Sequence, residues 1–349
     1  GKQMTYQVTV QPSGHTFQAQ PNETLLEAGL RQGVALPYGC RGGMCGACAA
    51  TVLSGQVHYP SGDPQGLSAD DAQRGKAFLC LAAALSDVEI NAPQVGATPD
   101  IEVKTLPVRV ETMRKLADDV MELTLKLPAS ERLRFLAGQY VDILLKDGKR
   151  RGFSLANAPF DDQLLALHIR HVPGGQFTGQ VFSTMQPKAL LRIEGPLGSF
   201  YIRDSARPLI LIGGGTGFAP LKSMLEQMMQ HGLERPVHLY WGARAKADLY
   251  LDDLVKSWVA EYPLLTYVPV LSEPLAADDW QGRTGWVHEA VAHDFADLAG
   301  YDVYLSGPPP MVNAAKVAFL AQGLPDAQLF YDSFEYSPDT VQAMQAGQA

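Results

Sequence analysis

The stretch Tyr38-Gly39-Cys40-Arg41-Gly42-Gly43-Met44-Cys45-Gly46-Ala47-Cys48 sets three cysteines close together with glycines between them. Cys80 follows much later, and together these are the 4 cysteines of the chain. Thiolates that share a metal cluster need short sulfur–sulfur distances, so the backbone must turn tightly and aim N–H groups at sulfur. Glycine permits such turns at little steric cost. The stretch therefore favours a loop that wraps a metal cluster.

The spacing C-x4-C-x2-C…C is that of the ligands of a plant-type 2Fe-2S cluster. A zinc site would usually show paired C-x2-C units or nearby histidines, and no histidine lies near Cys80. Structural disulfides are expected in small secreted domains, whereas this chain is long, poor in cysteine and begins without an apolar signal segment. The sequence thus predicts that Cys40, Cys45, Cys48 and Cys80 bind a 2Fe-2S cluster.

Length and composition restrict the class of protein. A chain of 349 residues is too long for one ordinary core, which predicts two or three domains. Its 46% hydrophobic and 19% charged residues are typical of a globular protein. A net charge of −9 without basic clusters argues against a nucleic-acid partner. No apolar run is long enough to span a membrane, so we expect no membrane partner and, from the cofactor chemistry, a cytoplasmic location.

Residues 1–93 are expected to form a 2Fe-2S ferredoxin domain of the β-grasp type, because short alternating runs surround one helix and the cysteine loop. We place the N-cap of that helix at Asn22 and its end at Gly33. Ser68 begins a second helix with a capping-box pattern. This second helix is expected to deliver Cys80 to the far side of the cluster.

Beyond residue 93 the pattern of apolar and polar residues changes twice. Pro93, Gly96 and Pro99 indicate a linker at about residues 93–102. Many short alternating runs predict an antiparallel β-barrel over residues 102–204.

Buried-strand runs such as Leu209–Ile212 then alternate with amphipathic stretches, which predicts an open parallel α/β domain over residues 207–336. One helix of that domain is predicted over Phe218–His231. Residues 337–349 are polar and are expected to be a disordered tail.

Arg151-Gly152-Phe153-Ser154 resembles the R-x-[YF]-S flavin motif of the ferredoxin-NADP reductase superfamily. The resemblance implies that Arg151 pairs with flavin phosphate, that Phe153 packs on the isoalloxazine, and that Ser154 lies near flavin N5. Each role suits its side chain, since a guanidinium fork matches phosphate oxygens and a flat ring covers a flat ring. Alone, however, a motif of four residues recurs by chance.

The segment Val172–Thr178 supports the same resemblance. In that family the glycine pair Gly174 and Gly175, with Thr178 after it, opens a helix whose free N–H groups receive the flavin pyrophosphate. Arg170 lies just before this segment and is expected to bind the flavin as well. To the neighbouring histidines, His168 and His171, we assign no proton transfer.

Two further motifs resemble those with which the family binds a nicotinamide dinucleotide. Gly213–Gly217 differs from the usual G-x-G-x-x-G fingerprint but resembles the family's G-G-x-G loop. Ser306-Gly307-Pro308-Pro309-Pro310-Met311 resembles the C-G-P-x-x-M motif, with Ser306 where a cysteine is common. The resemblance implies that the following residues bind the nucleotide: Gly215, Thr216, Gly217, Pro220 and Gly307.

The end of the chain and the turn after Gly242 complete the resemblance. Phe330-Tyr331-Asp332-Ser333-Phe334 is similar to the family's closing strand, where Phe334 would cover the flavin and Asp332 would lie close by. Arg244 is in position to contact a 2'-phosphate, yet the turn is compatible with NADH or NADPH, and we favour NADH slightly. Ser154, Ser306, Asp332 and Phe334 are the expected catalytic residues.

Taken together, the motifs resemble those of NAD(P)H-dependent ferredoxin-FAD reductase components of bacterial multicomponent oxygenases. The resemblance implies FAD as the flavin, an oxidoreductase activity, and a terminal oxygenase, especially an aromatic-ring Rieske oxygenase, as the electron acceptor. One alternative is a reductase for a CDP-hexulose dehydrase in deoxysugar synthesis. A second is a flavin and iron-sulfur redox sensor without catalytic turnover, because a fold alone does not establish function.

Overall fold

The computed structural model describes residues 4–44, 46–92 and 101–333. The chain divides into two compact units, residues 1–100 and 101–349. This division falls within the linker expected at residues 93–102. Cys45, Phe334 and the expected tail at 337–349 lie outside the described residues. Within the described part, no helix is both long and apolar enough to cross a membrane.

The first unit is a β-grasp, as predicted. Its main sheet has the order β2-β1-β7-β3-β5, with β1 and β7 parallel and the other neighbours antiparallel. Helix α1 covers the sheet and buries Leu25 and Leu26 against Val8 and Ile90 in one core. Burying each of these side chains stabilises the fold by roughly 1.5–3 kcal/mol. The elements of this unit are β1 (Tyr6–Gln11), β2 (Thr16–Ala19), α1 (Leu25–Arg31), β3 (Ala49–Ser54), β4 (Val57–His58), α2 (Ala69–Gln73), β5 (Lys76–Phe78), β6 (Ala83–Ala84) and β7 (Val88–Asn91).

The prediction for the first helix was wrong at its start and right at its end. Thr24 is the N-cap, because its side chain accepts a hydrogen bond from the Glu27 N–H. Asn22 instead has a left-handed φ of 63° in the preceding turn, a conformation that asparagine tolerates. Gly33, with φ 82°, follows the helix as a left-handed residue.

Cys80 is delivered by a strand, contrary to expectation. Ser68 does cap a helix, accepting a hydrogen bond from the Asp71 N–H at 3.1 Å, but that helix ends at Gln73. Strand β5 then pairs with β3, with Phe78 opposite Ala49. This pairing carries Cys80 toward Cys48, since the Leu79 N–H donates to the Cys48 carbonyl at 3.3 Å.

The second unit begins with the predicted antiparallel barrel. Its sheet has the order β11-β10-β13-β8-β9-β12, and a bridge between Leu155 and Leu167 joins the two edges. Closure leaves no long unpaired edge and points alternate side chains inward. The elements are β8 (Lys104–Ala117), β9 (Val120–Lys126), β10 (Tyr140–Leu144), β11 (Arg150–Ser154), β12 (Leu165–Arg170), α3 (Gln176–Ser183) and β13 (Leu190–Leu197).

A six-stranded parallel sheet completes this unit, in the order β17-β16-β15-β14-β18-β19. All residues of β14 are buried because helices cover both faces: α4 and α5 on one, α6 and α7 on the other. The predicted helix Phe218–His231 is confirmed, with His231 as its C-cap. The elements are β14 (Leu209–Gly214), α4 (Phe218–Gln230), β15 (Val237–Ala243), α5 (Asp252–Glu261), β16 (Leu265–Leu271), β17 (Arg283–Thr284), α6 (Val287–Asp294), β18 (Asp302–Gly307), α7 (Pro309–Ala321) and β19 (Leu329–Ser333).

The strand order of this sheet locates a crevice. The chain proceeds from β14 outward through β15, β16 and β17, then returns to the other side of β14 with β18 and β19. At such a reversal, the loops after the two central strands separate and leave space outside their carboxyl ends, where ligands bind in open α/β sheets. The loops after β14 and β18 are those that carry the glycine and Ser306 motifs.

Candidate active site and cluster loop

Strand β11 presents the predicted flavin motif on two faces. Successive side chains of a strand alternate, so Arg151 and Phe153 share one face and Ser154 lies on the other. The Phe153 ring packs 5.7 Å from the Phe177 ring of α3, between ring centroids. The Arg151 guanidinium donates to the Arg150 carbonyl at 2.9 Å. The barrel therefore holds an aromatic ring and a guanidinium group side by side.

Helix α3 begins as the glycine pair predicts. Gly174 has φ 83°, and the N-cap Gly175 supplies no side-chain hydrogen bond to the first turn. The Thr178 hydroxyl accepts from the Val172 N–H at 3.3 Å and lies 3.4 Å from the Val172 carbonyl, so it ties the preceding turn to the helix. An eight-residue helix that starts without a side-chain cap leaves first-turn amides suited to an anionic group.

Ser154 meets the parallel sheet at Asp332. The Ser154 hydroxyl donates to the Asp332 Oδ2 at 3.4 Å, joining the barrel to β19. Asp332 stands beside Ser306 in the β18–β19 ladder, and Ser306 stands beside Gly213 in the β14–β18 ladder. Three of the four expected catalytic residues therefore converge at the carboxyl ends of β18 and β19.

Ser306 carries a buried polar atom that the protein leaves unpaired. Its side chain is fully buried, and its Oγ has no hydrogen-bond partner among the described residues. Such groups are rare in folded proteins, because a buried hydroxyl without a partner is costly. Ser306 lies at the end of β18 beside Asp332.

The glycine loop after β14 packs too tightly for side chains. A Cβ on Gly217 would lie 2.1 Å from the Ser306 carbonyl oxygen, and one on Gly214 would lie 2.2 Å from the Met311 Sδ. Gly215 has φ 56°, and its carbonyl accepts a hydrogen bond from the Trp241 Nε1–H at 3.0 Å. Thr216 lies in a 3-10 turn, Gly215–Gly217, while Pro220 is buried in the first turn of α4.

A cavity of about 460 Å³ opens beside this loop, and we call it the sheet-end cavity. Its lining includes Arg170, Gly215, Arg244, Trp286 and Met311, so it lies at the carboxyl ends of β14, β15 and β18. Its volume is within the range of small-molecule sites. Gly307 packs against Met311, which lines the cavity, since a Cβ on Gly307 would be 2.9 Å from the Met311 side chain.

Arg170 contributes to this cavity, whereas we expected it at the flavin. A Cβ on Gly215 would lie 3.1 Å from the Arg170 Nη1, which places the guanidinium directly against the glycine loop. Arg244, with 62% of its side chain exposed, lines the same cavity. Two positive charges therefore flank the loop, one from the barrel and one from the parallel sheet.

Three side chains, His168, Tyr250 and Trp241, contact one another in sequence and hold the glycine loop at Gly215. The His168 Nδ1 lies 2.9 Å from the Tyr250 hydroxyl, and the Tyr250 ring packs edge-on against Trp241, whose indole N–H holds Gly215. Burial lowers the pKa of His168 to about 3, so its imidazole is neutral at pH 7. His168 thus has a structural role that the sequence did not indicate.

Trp286 is also missed by sequence reasoning. It follows Gly285 at the start of α6, lines the sheet-end cavity and leaves 60% of its surface exposed. An exposed tryptophan at the rim of a cavity can cover a flat ligand ring. The available signal was an aromatic residue directly after a glycine in the run Gly282–Val287.

The cluster loop is described at three of its four expected ligands. Cys40 is partly buried, Cys48 and Cys80 are buried, and none of the three is part of a disulfide. A hydrogen bond with Cys48, aided by the Gly43 N–H, lowers the pKa of the Cys80 thiol. The Gly42 N–H lies 3.3 Å from the Cys40 Sγ.

The backbone of this loop suits a bound anionic cluster. Arg41, Gly43 and Gly46 all have left-handed φ angles, and consecutive turns of this kind direct N–H groups inward. No group of three or more metal-binding side chains lies around one point among the described residues, which do not include Cys45. With four cysteines shared between two irons, each iron takes a pair, so such a group is not required.

The chain matches three protein-family models in succession. These are the 2Fe-2S iron-sulfur cluster binding domain at residues 8–85, the oxidoreductase FAD-binding domain at residues 107–202 and the oxidoreductase NAD-binding domain at residues 211–317. Their order is that expected from the motifs. These three family matches confirm the predictions of a 2Fe-2S cluster, FAD and a nicotinamide dinucleotide as cofactors.

Relatives of known activity match nearly the full chain. The CDP-6-deoxy-L-threo-D-glycero-4-hexulose-3-dehydrase reductase of Yersinia pestis is 37% identical over 333 residues, which are 95% of this chain and 99% of that protein. Reductase component 2 of the terephthalate 1,2-dioxygenase of Comamonas sp is 34% identical over 338 residues, 96% of this chain and 99% of that protein.

A solved structure also matches nearly the full chain. The Amycolatopsis cytochrome P450 reductase GcoB superposes with a TM-score of 0.74 and 35% identity, covering 95% of this chain and 99% of that one. The chain belongs to the family of ferredoxin-FAD reductase components, oxidoreductases in which a plant-type 2Fe-2S domain, an FAD-binding domain and a NAD-binding domain follow one another in a single polypeptide.

Proposed function

We propose that this protein takes electrons from NAD(P)H and passes them through FAD and the 2Fe-2S cluster to a separate terminal oxygenase, most simply an aromatic-ring Rieske oxygenase. The observation that carries the proposal is the convergence of Ser154, Asp332 and Ser306 where the barrel meets the sheet-end crevice. Reliance on NAD(P)H and on reduced cysteine ligands supports a cytoplasmic location.

The flavin side of the site is assigned to the barrel. Arg151 and the first turn of α3, with Gly174, Gly175 and Thr178, would hold the FAD phosphates, because they combine a guanidinium fork with uncapped amides. Phe153 would pack on the flavin ring. When bound, FAD accepts a hydride as an electron pair and releases single electrons, which matches a two-electron donor to a one-electron cluster.

The nucleotide side is assigned to the parallel sheet. Gly215, Thr216, Gly217 and Pro220 form the close backbone approach that a dinucleotide needs, with Arg170 and Arg244 offering positive charge beside it. We reassign Arg170 to this side from the flavin, since its guanidinium lies against Gly215.

The catalytic roles remain proposals for this chain's own side chains. Ser306 Oγ, buried and unpaired, would donate to or accept from the nicotinamide carboxamide, with Gly307 forming the wall behind it. Ser154, which is hydrogen-bonded to Asp332, would keep its hydroxyl near flavin N5, the atom whose protonation changes in the reaction. Phe334, outside the described residues, is proposed to cover the flavin until the nucleotide arrives.

A CDP-hexulose dehydrase is the second candidate acceptor. The Yersinia pestis relative named for that system shares 37% identity, compared with 34% for the terephthalate dioxygenase relative. A difference of this size does not separate two acceptors that use the same electron-donating machinery. The exposed surface of the ferredoxin unit, rather than the flavin site, must distinguish them.

The first test is an anaerobic titration of the holoprotein with NADH and then NADPH, followed by visible absorption. We expect flavin bleaching followed by cluster bleaching. Loss of flavin colour that never reaches the cluster would refute the electron path, and bleaching by neither nucleotide would favour the sensor. The acceptor is then identified by stopped-flow reoxidation of the reduced cluster with a Rieske oxygenase and, separately, with a CDP-hexulose dehydrase.

A further inference from the structure

The two-residue turn between β8 and β9 brings a carboxylate to the sheet-end cavity. Ala117 pairs with Val120 across the turn, leaving Asp118 and Asp119 at its tip. The Asp119 carbonyl accepts a hydrogen bond from the His171 N–H at 2.8 Å, which fixes the turn against the end of β12. As a result, the Asp119 Oδ2 lies 3.5 Å from the Arg170 Nε.

A second carboxylate approaches from the parallel sheet. Asp248 follows β15 and is oriented by the Ala245 N–H, which donates to its Oδ2 at 3.2 Å. Its Oδ1 lies 4.0 Å from the Arg170 Nη2, and its Oδ2 lies 3.8 Å from the Arg244 Nε. Only 15% of the Asp248 side chain is exposed.

These side chains form a charge cluster, which we define as Asp119, Arg170, Arg244 and Asp248. Asp119 completes it by approaching the Arg244 Nη2 at 4.0 Å. The separations, 3.5 to 4.0 Å, are those of loose ion pairs rather than short charge-assisted hydrogen bonds. The cluster is formally neutral, and each arginine remains able to turn toward a ligand anion.

The arginines face the cavity and the carboxylates stand behind them. Arg170 and Arg244 line the sheet-end cavity, whereas Asp119 and Asp248 are not among the described residues that line it. NADH and NADPH share the pyrophosphate, so its interaction with these arginines does not affect the choice between the two nucleotides. NADPH brings a further charge of about −1.5 to −2 on its 2'-phosphate. Asp119 and Asp248 already offset the positive charge of Arg170 and Arg244, so little positive charge remains to balance the 2'-phosphate.

We infer that Asp119, from the barrel, together with Asp248 makes this reductase selective for NADH. The inference rests on the proposed function, because it takes the sheet-end cavity as the nucleotide site. It gives a charge-based reason for a preference that the turn after Gly242 leaves open. It also assigns part of the nucleotide specificity to the flavin-binding barrel. The opposite outcome, in which Arg244 recruits the 2'-phosphate, would make NADPH the better donor.

The test compares Asp119→Asn with Asp118→Asn, which removes the same charge from the adjacent exposed position. For each holoprotein, kcat/KM for anaerobic flavin reduction is measured with NADH and with NADPH. The wild type is expected to favour NADH. Asp119→Asn should raise the NADPH-to-NADH ratio by about three- to tenfold, through KM rather than kcat, because it removes the carboxylate that lies 3.5 Å from the Arg170 Nε and 4.0 Å from the Arg244 Nη2 and so leaves their positive charge for the 2'-phosphate. Asp118→Asn should change it by less than about twofold.

Salt and a second variant keep the inference testable if Asp119→Asn folds poorly. Asp248→Asn retains an oxygen for the Ala245 N–H and should raise the same ratio. The gain in Asp119→Asn should shrink as ionic strength rises, since the Asp119 side chain is 34% exposed and its charge is screened, and the gain in Asp248→Asn should shrink less because only 15% of that side chain is exposed. A wild type that prefers NADPH, or variants with the wild-type ratio, would overturn the inference while leaving the reductase assignment intact. Reduction by neither nucleotide would instead refute the proposed function itself.

Discussion

Substituting Gly217 by alanine tests whether the close approach of the glycine loop to β18 matters for the reaction. The backbone of Gly217 is right-handed, with φ −58° and ψ −14°, so alanine fits its conformation. The added Cβ, however, would lie 2.1 Å from the Ser306 carbonyl oxygen and 3.1 Å from the Gly307 nitrogen. Ordinary contact begins at 3.4 Å, so loop and strand must separate by about 1.3 Å.

This separation is costly because both contacting atoms belong to the backbone of a paired strand. Gly213 and Ser306 are partners in the β14–β18 ladder, which resists opening. Overpacking of this kind costs about 1–3 kcal/mol of folding free energy. A shift of about 1 Å near a reacting centre can lower the rate by about 100-fold. We therefore expect kcat/KM for NADH to fall about 100-fold, with FAD and cluster content unchanged.

The assay is anaerobic stopped-flow reduction of the flavin by NADH, with thermal unfolding followed by circular dichroism. Gly300→Ala is the matched control, since no heavy atom lies within 4 Å of its added Cβ. The control should react and unfold like the wild type. If Gly217→Ala also kept the wild-type kcat/KM and midpoint temperature, the steric reasoning for this loop would be wrong.

Three further predictions address the hydride site, the cluster and a buried histidine. Ser154→Ala removes the donor to Asp332 and should slow flavin reduction by about tenfold or more at saturating NADH; an unchanged limiting rate would contradict its role. Cys80→Ala should abolish the cluster absorption and cytochrome c reduction, while ferricyanide reduction through FAD persists; a retained cluster spectrum would exclude Cys80 as a ligand. Because burial lowers the pKa of His168 to about 3, only the unfolded chain binds this proton as pH falls below 6.5. Stability should therefore drop by about 2 kcal/mol between pH 6.5 and 5 from this group alone. Denaturant titrations should show a shallower pH dependence for His168→Gln but not for His231→Gln at an exposed position.

The cofactors of this protein could be predicted from its sequence because their binding motifs are short. Cysteine spacing indicated the cluster, and the arginine, glycine and serine motifs indicated two nucleotide cofactors, because each group needs particular residue types at short separations. The helix Phe218–His231 was also predictable, since its glycine boundaries and apolar period are local.

Errors arose where a partner distant in the chain decided the outcome. Thr24 is the N-cap instead of Asn22, and Thr24 is also held by a bridge to the distant Ala83, while Asn22 lies in a left-handed turn before it. Cys80 follows a strand because β5 pairs with β3, and pairing between segments some thirty residues apart leaves little local pattern.

The sequence by itself determined which cofactors the chain is built for, since metal and phosphate ligation depend on side-chain identity over a few residues. Only the tertiary structure decided which of those residues meet. The registers of β9–β12 and of β18–β19 bring Asp119 to Arg170 and Asp332 to Ser306. Docking of the barrel on the sheet brings Ser154 to Asp332 across 178 residues. Such contacts follow from the packing of whole elements, and no short stretch of sequence encodes them.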